Sequence, residues 1–334
     1  MKAVVYRGIN DLRAEELPQP AIGPGEVLIR VAVCGVCGTD LKKVRHGLVA
    51  PPRVFGHETA GTIAEVGAGV GGWRVGDRVA VYHHVPCRRC PLCARKAYAQ
   101  CATYKRTGTT AGFEPAGGGF AEYVRVMNWI VADGGLVRLP DDASFEDATF
   151  LEPVNTCLKA ILRAGVREGE RVVVFGCGPI GLLLIQLAKL RGAHVSAADL
   201  IPERLAIARE LGADADAKGV RDADVAIVAA ASASAIRAAF EATRPAGRVM
   251  LFAQTQAGEM VPVDVGQICV AEKDLIGSYS SDIELNEQVA ELIFSHRINV
   301  RALITHRFPL DRIGEAIAIA SKPGPNSLKV LVQL

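Results

Sequence analysis

The sequence predicts an α/β protein of two domains, one a small, partly open β-barrel and the other a doubly wound parallel sheet. Residues 1–150 are rich in glycine, proline and valine in short alternating runs, such as Val27-Leu28-Ile29-Arg30-Val31 and Asp77-Arg78-Val79-Ala80-Val81. That period of two belongs to half-buried strands. Across 151–279, β-branched runs alternate with helical stretches, as in βαβ units. After about Tyr279 the pattern changes again: a helix near 287–295, a strand at 304–308, a helix at 310–320 and a closing strand at 328–332.

Composition sets the frame for these elements. The chain has 334 residues, a formal charge of 38 − 36 = +2, and 50% hydrophobic and 22% charged residues. Two domains with a sizeable core are expected, with no general field for nucleic acid or anionic membranes. No stretch of 18 uninterrupted apolar residues occurs, and the first residues, Met1 to Arg7, lack the apolar segment of a secretion signal. A cytoplasmic protein without a membrane or nucleic-acid partner is therefore expected.

The nine cysteines do not read as a disulfide framework, because the count is odd and a reducing compartment would not maintain one. Cys87, Cys90, Cys93 and Cys101 follow C-x2-C-x2-C-x7-C. Short gaps let a tight loop aim successive thiolates at one point, and the longer gap returns the fourth, which is the pattern of a closed tetrahedral Zn2+ site. Such a site carries a charge of about −2, which Arg88, Arg89, Arg95, Lys96, Lys105 and Arg106 can offset. With no open position, it folds a loop rather than catalyses. The alternative is four unrelated thiols, which this spacing disfavours.

A second group lies upstream. Cys37 stands in Cys34-Gly35-Val36-Cys37-Gly38-Thr39-Asp40, and His57-Glu58 stands in G-H-E-x2-G-x5-G-x2-V, matched by Gly56, His57, Glu58, Gly61, Gly67 and Val70. Thiolate, imidazole and carboxylate are good zinc ligands, and three of them plus water make a catalytic site. Singly they are weak signals: Cys37 alone reads as a small buried residue, His57 as a structural histidine, and Cys34 with Cys37 as a redox pair.

The dinucleotide signal is contextual. Residues 171–181 read as a buried strand running into Gly176-Cys177-Gly178-Pro179-Ile180-Gly181 and then an apolar helix, followed by a strand at 194–198 that ends beside Asp199. Gly176 permits the turn, Gly178 lets the backbone approach a pyrophosphate, and Gly181 lets helix and strand pack closely. The helix N-terminus favours the anion. Asp199 accepts hydrogen bonds from the ribose hydroxyls of NAD, and would repel the 2′-phosphate of NADP by roughly 4 kcal/mol per charge pair at 4 Å before screening. Arg204 is the residue that could instead favour that phosphate. Leu251, Phe252 and Ala253, at the carboxyl end of a strand, are nicotinamide-side candidates or ordinary core, and Cys177 reads as a small tolerated side chain. Helix 202–211 leads to a third strand near 213–217, too close to the next strand at 225–230 for a full crossover helix. Further strands are expected at 248–253 and 274–278.

Over nearly its whole length the sequence resembles the zinc-containing medium-chain dehydrogenase/reductase family, in particular its sorbitol (polyol) and threonine dehydrogenase branch. The resemblance implies a GroES-like catalytic domain at 1–150 and 280–334, with a structural zinc lobe at 87–101, and a Rossmann NAD-binding domain at 151–279. It implies that Cys37 and His57 bind a catalytic zinc, with Glu58 and Glu152, in Leu151-Glu152-Pro153-Val154, as unranked carboxylate candidates. By the same resemblance Thr39 takes the alcohol proton. Lys42 stands where threonine dehydrogenases have a histidine ending the relay, so His46, or the cofactor ribose and water, must finish the path. Asp40 either orients His57 or caps a helix. His83-His84 replaces an apolar pocket residue, or lies on the surface.

The implied activity is hydride transfer from a secondary alcohol, of polyol, sugar or cyclitol type, to NAD, giving a ketone. It uses one catalytic and one structural zinc, in a homotetramer or homodimer, with the zinc residues brought beside the nicotinamide in an interdomain cleft. The alternatives are a threonine-type amino-alcohol dehydrogenase, and a non-catalytic NAD-binding zinc protein sensing redox state through Cys34 and Cys37.

Overall fold

The computed structural model describes every residue except 107, 115, 116, 256, 257 and 323. The chain divides into two compact units, Met1–Pro153 with Asp282–Pro323 and Ser327–Leu334, and Val154–Ser281 with Gly324–Asn326. The divisions fall after Pro153 and Ser281, slightly beyond the 150 and 279 expected from composition, so Glu152 belongs to the first unit.

In the first unit an eight-stranded sheet runs through Ile304–Pro309, Lys329–Gln333, Val27–Gly35, Glu58–Val66, Arg78–Val81 and Leu136–Arg138, with Tyr123–Val126 and Thr109–Thr110 branching from Val27–Gly35. The pairs are antiparallel except the first, which is parallel. Val27, Ile29 and Val31 point into the apolar core, as their alternation requires. Register matters most at one end of this sheet: Gly35 faces Glu58 on one side and Leu331 on the other. The tail strand Lys329–Gln333 is thereby brought alongside the start of Glu58–Val66.

The helix Gly38–His46 follows directly. Cys37 is its N-cap, and its backbone N–H donates to Asp40 Oδ2 at 3.3 Å while its Sγ accepts from Thr39 N at 3.5 Å. Asp40 is thus the reciprocal partner of the cap, one turn in, rather than the cap itself. Gly47, with φ 62°, ends the helix.

The second unit holds six parallel strands in the order Ala215–Asp216, His194–Ala198, Arg171–Phe175, Ala223–Val228, Thr243–Leu251, Asp274–Gly277. In chain order this is 3-2-1-4-5-6, the doubly wound arrangement. Residues 217–222 form no helix, so the trimmed crossover expected from their number is a loop, and the strand before it has only two residues.

Candidate metal and cofactor sites

Cys87, Cys90, Cys93 and Cys101 bring their sulfurs within 4.8 Å of one another. Cys90 Sγ to Cys93 Sγ is 3.5 Å and Cys101 Sγ to Cys87 Sγ is 3.6 Å. A tetrahedron with Zn–S near 2.3 Å has edges of about 3.8 Å, so this donor set fits zinc. Burial raises the Cys101 pKa, but the N–H groups of Cys87, Tyr104 and Thr103 outweigh it and bring the thiol down to about 6. Four of the six expected basic neighbours have other partners: Lys96 pairs with Glu284 at 2.8 Å, Arg88 donates to Asp133 O, Lys105 donates to Gln100, and Arg106 covers the Trp129 ring. Backbone N–H groups, more than these side chains, face the thiolates.

Cys37, His57 and Glu58 form the second cluster, again with ligand atoms within 4.8 Å of one another. His57 and Glu58 are buried, and Asp40 Oδ1 lies 3.3 Å from His57 Nδ1. Burial pulls the His57 pKa down, yet Asp40 and Cys37 together hold it well above the ordinary value. The negative field that holds a proton on this ring equally draws a divalent cation, and thiolate, imidazole and carboxylate are a donor set zinc accepts. Both sites thus fit the metal.

Glu152 does not join that cluster. Burial raises its pKa to about 7, against the pull of His57, with Glu58 and Asp40 adding to the rise and Lys329 opposing it. Thr39 is exposed in the first turn of its helix. His46 ends the same helix two turns on, about 10 Å along its axis, beyond hydrogen-bond reach of Thr39. Lys42 is partly buried, and that burial lowers its pKa against the pull of Cys37.

His83 and His84 are not surface residues: His83 is 4% exposed, and its ring centroid lies 5.1 Å from that of His57. Burial, then the positive field of His84 and His57, holds His83 well below the ordinary histidine value, and His84 falls to about 3 for similar reasons. Cys34 is fully buried beside Thr59, and burial pushes its thiol to about 12, so Cys34 is a protonated core side chain.

Sequence reasoning missed Lys329. It donates to the Glu58 carboxylate and, at 3.2 Å, to Val36 O, and both charged side chains are buried. Its only signal in the chain is a lysine in the apolar run Leu328-Lys329-Val330-Leu331-Val332.

In the second unit, Gly176 has φ 100° and leads into the helix Pro179–Leu190, whose N-cap is Gly178. A Cβ on Gly181 would run into Gly176 O, so only glycine allows this approach of helix to turn. Asp199 Oδ2 accepts from Cys177 N at 2.6 Å and Oδ1 from Ile201 N at 2.9 Å, fixing the carboxylate at the glycine turn. Arg204 is buried and donates to Gly324 O, with Nη1 near Gly178. Cys177 is buried, with its thiol raised to about 12 by burial. Leu251 closes its strand, followed by Phe252 and Ala253, whose N–H groups both donate to Val228 O. The loop, Asp199 and the open helix N-terminus fit a dinucleotide.

Known proteins match the whole of this arrangement. The Alcohol dehydrogenase GroES-like domain family matches residues 23–140, and the Zinc-binding dehydrogenase family matches residues 179–295. Sorbitol dehydrogenase of Bombyx mori is 34% identical, over 99% of this chain and 98% of its own length. Among solved structures, a protein described as a zinc-binding dehydrogenase of Sinorhizobium meliloti 1021, bound to NADP, superposes with a TM-score of 0.89 at 28% identity, covering 100% of this chain and 99% of its own. Galactitol-1-phosphate dehydrogenase of Escherichia coli gives 0.87 at 29% identity, with 100% of both chains covered. This chain holds two zinc-fitting clusters in one unit and a dinucleotide turn in the other, and with these matches it belongs to the zinc-containing medium-chain alcohol dehydrogenase family.

Proposed function

We propose that this enzyme oxidises a secondary alcohol of polyol or sugar type to a ketone and passes the hydride to NAD. The observation that carries the reading is the cluster of Cys37, His57 and Glu58 inside the negative field of Asp40. Zinc held there supplies Lewis acidity that lowers the pKa of a hydroxyl. Cys37 and His57 are its proposed ligands. Glu58 and Glu152 are carboxylate candidates of unequal standing: Glu58 is engaged by Lys329, while Glu152, with its pKa near 7, is the freer to change its charge. Asp40 orients the His57 ring through Nδ1. Thr39 would take the alcohol proton at its hydroxyl, and Lys42 stands where a relay histidine would otherwise pass it on.

The polyol class rests on the relatives and on His83. A buried neutral imidazole beside His57 offers a hydrogen bond to a second hydroxyl, where an apolar side chain would offer none. NAD rather than NADP rests on Asp199. A threonine-type substrate has no supporting observation here.

No helix among the described residues is long and apolar enough to cross a membrane, and all nine cysteines are free. These support a cytoplasmic location. A homo-oligomer is supported by the exposed edge strand Asp274–Gly277, with exposed Leu275 and Val270 beside it.

The test is formation of NADH with sorbitol, other polyols, aminocyclitols, simple secondary alcohols and threonine, each with NAD and NADP. Turnover of polyols that Cys37→Ala abolishes and Cys34→Ala preserves is the expected result. Activity on threonine alone, or on none of the panel with two zinc ions bound, would overturn it.

A further inference from the structure

His57 is oriented on one edge by Asp40, but Asp40 Oδ1, at 3.3 Å from Nδ1, lacks the geometry of a good hydrogen bond. A second restraint on the ring comes from its face. The His57 and His83 centroids are 5.1 Å apart with their planes tilted by 35°, His83 and His84 are 3.9 Å apart and tilted by 41°, and His84 stacks on Tyr104 at 5.0 Å with the planes 13° apart. At the far end Tyr104 packs with Cys93 and Cys101 of the four-cysteine lobe, and its peptide N–H faces the Cys101 sulfur. Its carbonyl accepts from His84 Nδ1, which must therefore carry the ring proton and joins the column to that residue.

The backbone of this column is also anchored. His83 O accepts from Gly108 N at 3.0 Å, and the neighbouring Tyr82 hydroxyl donates to Leu151 O at 2.9 Å, next to Glu152. His84 stands three residues before Cys87, and Tyr104 three residues after Cys101, so the first and last cysteines of the lobe flank the column.

We infer that His83 and His84 form a strut through which the four-cysteine lobe positions the ring of His57. In this role both act on the metal site through His57, His83 in addition to the hydroxyl contact proposed for it above, and the lobe's order becomes a condition for tight binding at Cys37, His57 and Glu58. This rests on the reading of that cluster as a metal site. Its physical basis is that rings in contact within a packed interior, tilted at His57–His83 and His83–His84 and stacked at His84–Tyr104, resist rotation of any one of them, and that a hydrogen bond from His84 fixes the lobe end.

The experiment uses the full chain loaded with zinc, in which the more weakly held ion is replaced by Co2+ as a spectroscopic probe. Wild type, His84→Ala, His84→Asn and Tyr104→Leu are compared for metal content, for cobalt affinity by chelator competition, and for the visible cobalt spectrum. His84→Ala and Tyr104→Leu are expected to weaken cobalt binding at least about 10-fold, the usual effect of removing an outer contact of a metal ligand, and to shift its spectrum. The four-cysteine site keeps its zinc in both. His84→Asn, which retains a donor for Tyr104 O but not the ring between His83 and Tyr104, recovers only part of the affinity. Wild-type affinity and spectrum in His84→Ala and Tyr104→Leu would overturn the strut, as would parallel loss of both ions. A wild-type chain that binds only one ion would instead overturn the metal-site reading itself.

Discussion

Lys329 donates to Glu58 across a sequence separation of 271 residues, and with side-chain exposures of 7% and 2% the pair sits almost wholly out of water. Burial alone would lower the Lys329 pKa, but Glu58 and Cys37 raise it, so the ammonium stays charged and holds the carboxylate next to His57. The tail of the chain thereby supplies a charge to a site whose other members lie within residues 37–58.

Removing one member of such a pair leaves the other charged and uncompensated. Lys329→Met is expected to cost about 3–5 kcal/mol in chemical unfolding. The double variant Lys329→Met/Glu58→Gln should recover much of that loss. Equal destabilisation of the single and double variants would show that lost packing, not the stranded carboxylate, is responsible.

The four-cysteine lobe should depend on its metal for order. Tyr98 and Lys96 both bond to Glu284, which holds the lobe on one side, but its loop carries exposed Arg88 and Arg89. Structural zinc supplies folding free energy directly. Chelation is therefore expected to open the lobe first, so that trypsin cuts after Arg88, Arg89 or Arg95 before it cuts elsewhere. Cleavage in the second unit at the same rate would contradict a local role.

Acid should destabilise the barrel partly through Glu26. Burial raises its pKa, but Arg125, bonded through Nε at 2.8 Å and Nη2 at 3.0 Å, and Gly23 N–H at 2.7 Å bring it below the ordinary value. A carboxylate with a lowered folded pKa adds stability above its unfolded pKa, about 4.3, and loses it as pH falls through the folded value. Unfolding midpoints at pH 7, 5 and 3.5 should fall less steeply in Glu26→Gln than in wild type. Identical pH profiles would remove Glu26 from the account.

Asp199 should set the cofactor. Its carboxylate is fixed by Cys177 N and Ile201 N at the glycine turn, with Arg204 close by. Asp199→Ser is expected to move the kcat/KM ratio of NADP to NAD upward by at least about 10-fold, since a repulsion of several kcal/mol is removed. A further change of Arg204 to Leu should reverse part of that gain. An unchanged ratio in Asp199→Ser would place cofactor choice elsewhere.

Much of the site was legible because its chemistry is local in sequence. The four cysteines span 15 positions, and the glycine turn lies between its own strand and helix, so spacing alone carries the geometry. The short connection at 217–222 was equally readable, since too few residues remain for a helix. Asp40 was harder, because the cap weighed for it falls to Cys37 instead: Asp40 accepts from that residue's N–H with one oxygen, as the capping partner one turn in, and faces His57 with the other.

By its sequence alone this protein announced its fold class, its four-cysteine group and its dinucleotide turn, because alternation and short spacing carry them, whereas Cys37 and His57, twenty residues apart, were readable as one site only through the family resemblance. Tertiary structure decided what surrounds them: Lys329 on Glu58, His83 against His57, and His84 on the lobe through Tyr104. Those contacts follow from which strands become neighbours in the barrel. Pairing between distant segments obeys the packing of the whole core, which no short window of sequence contains.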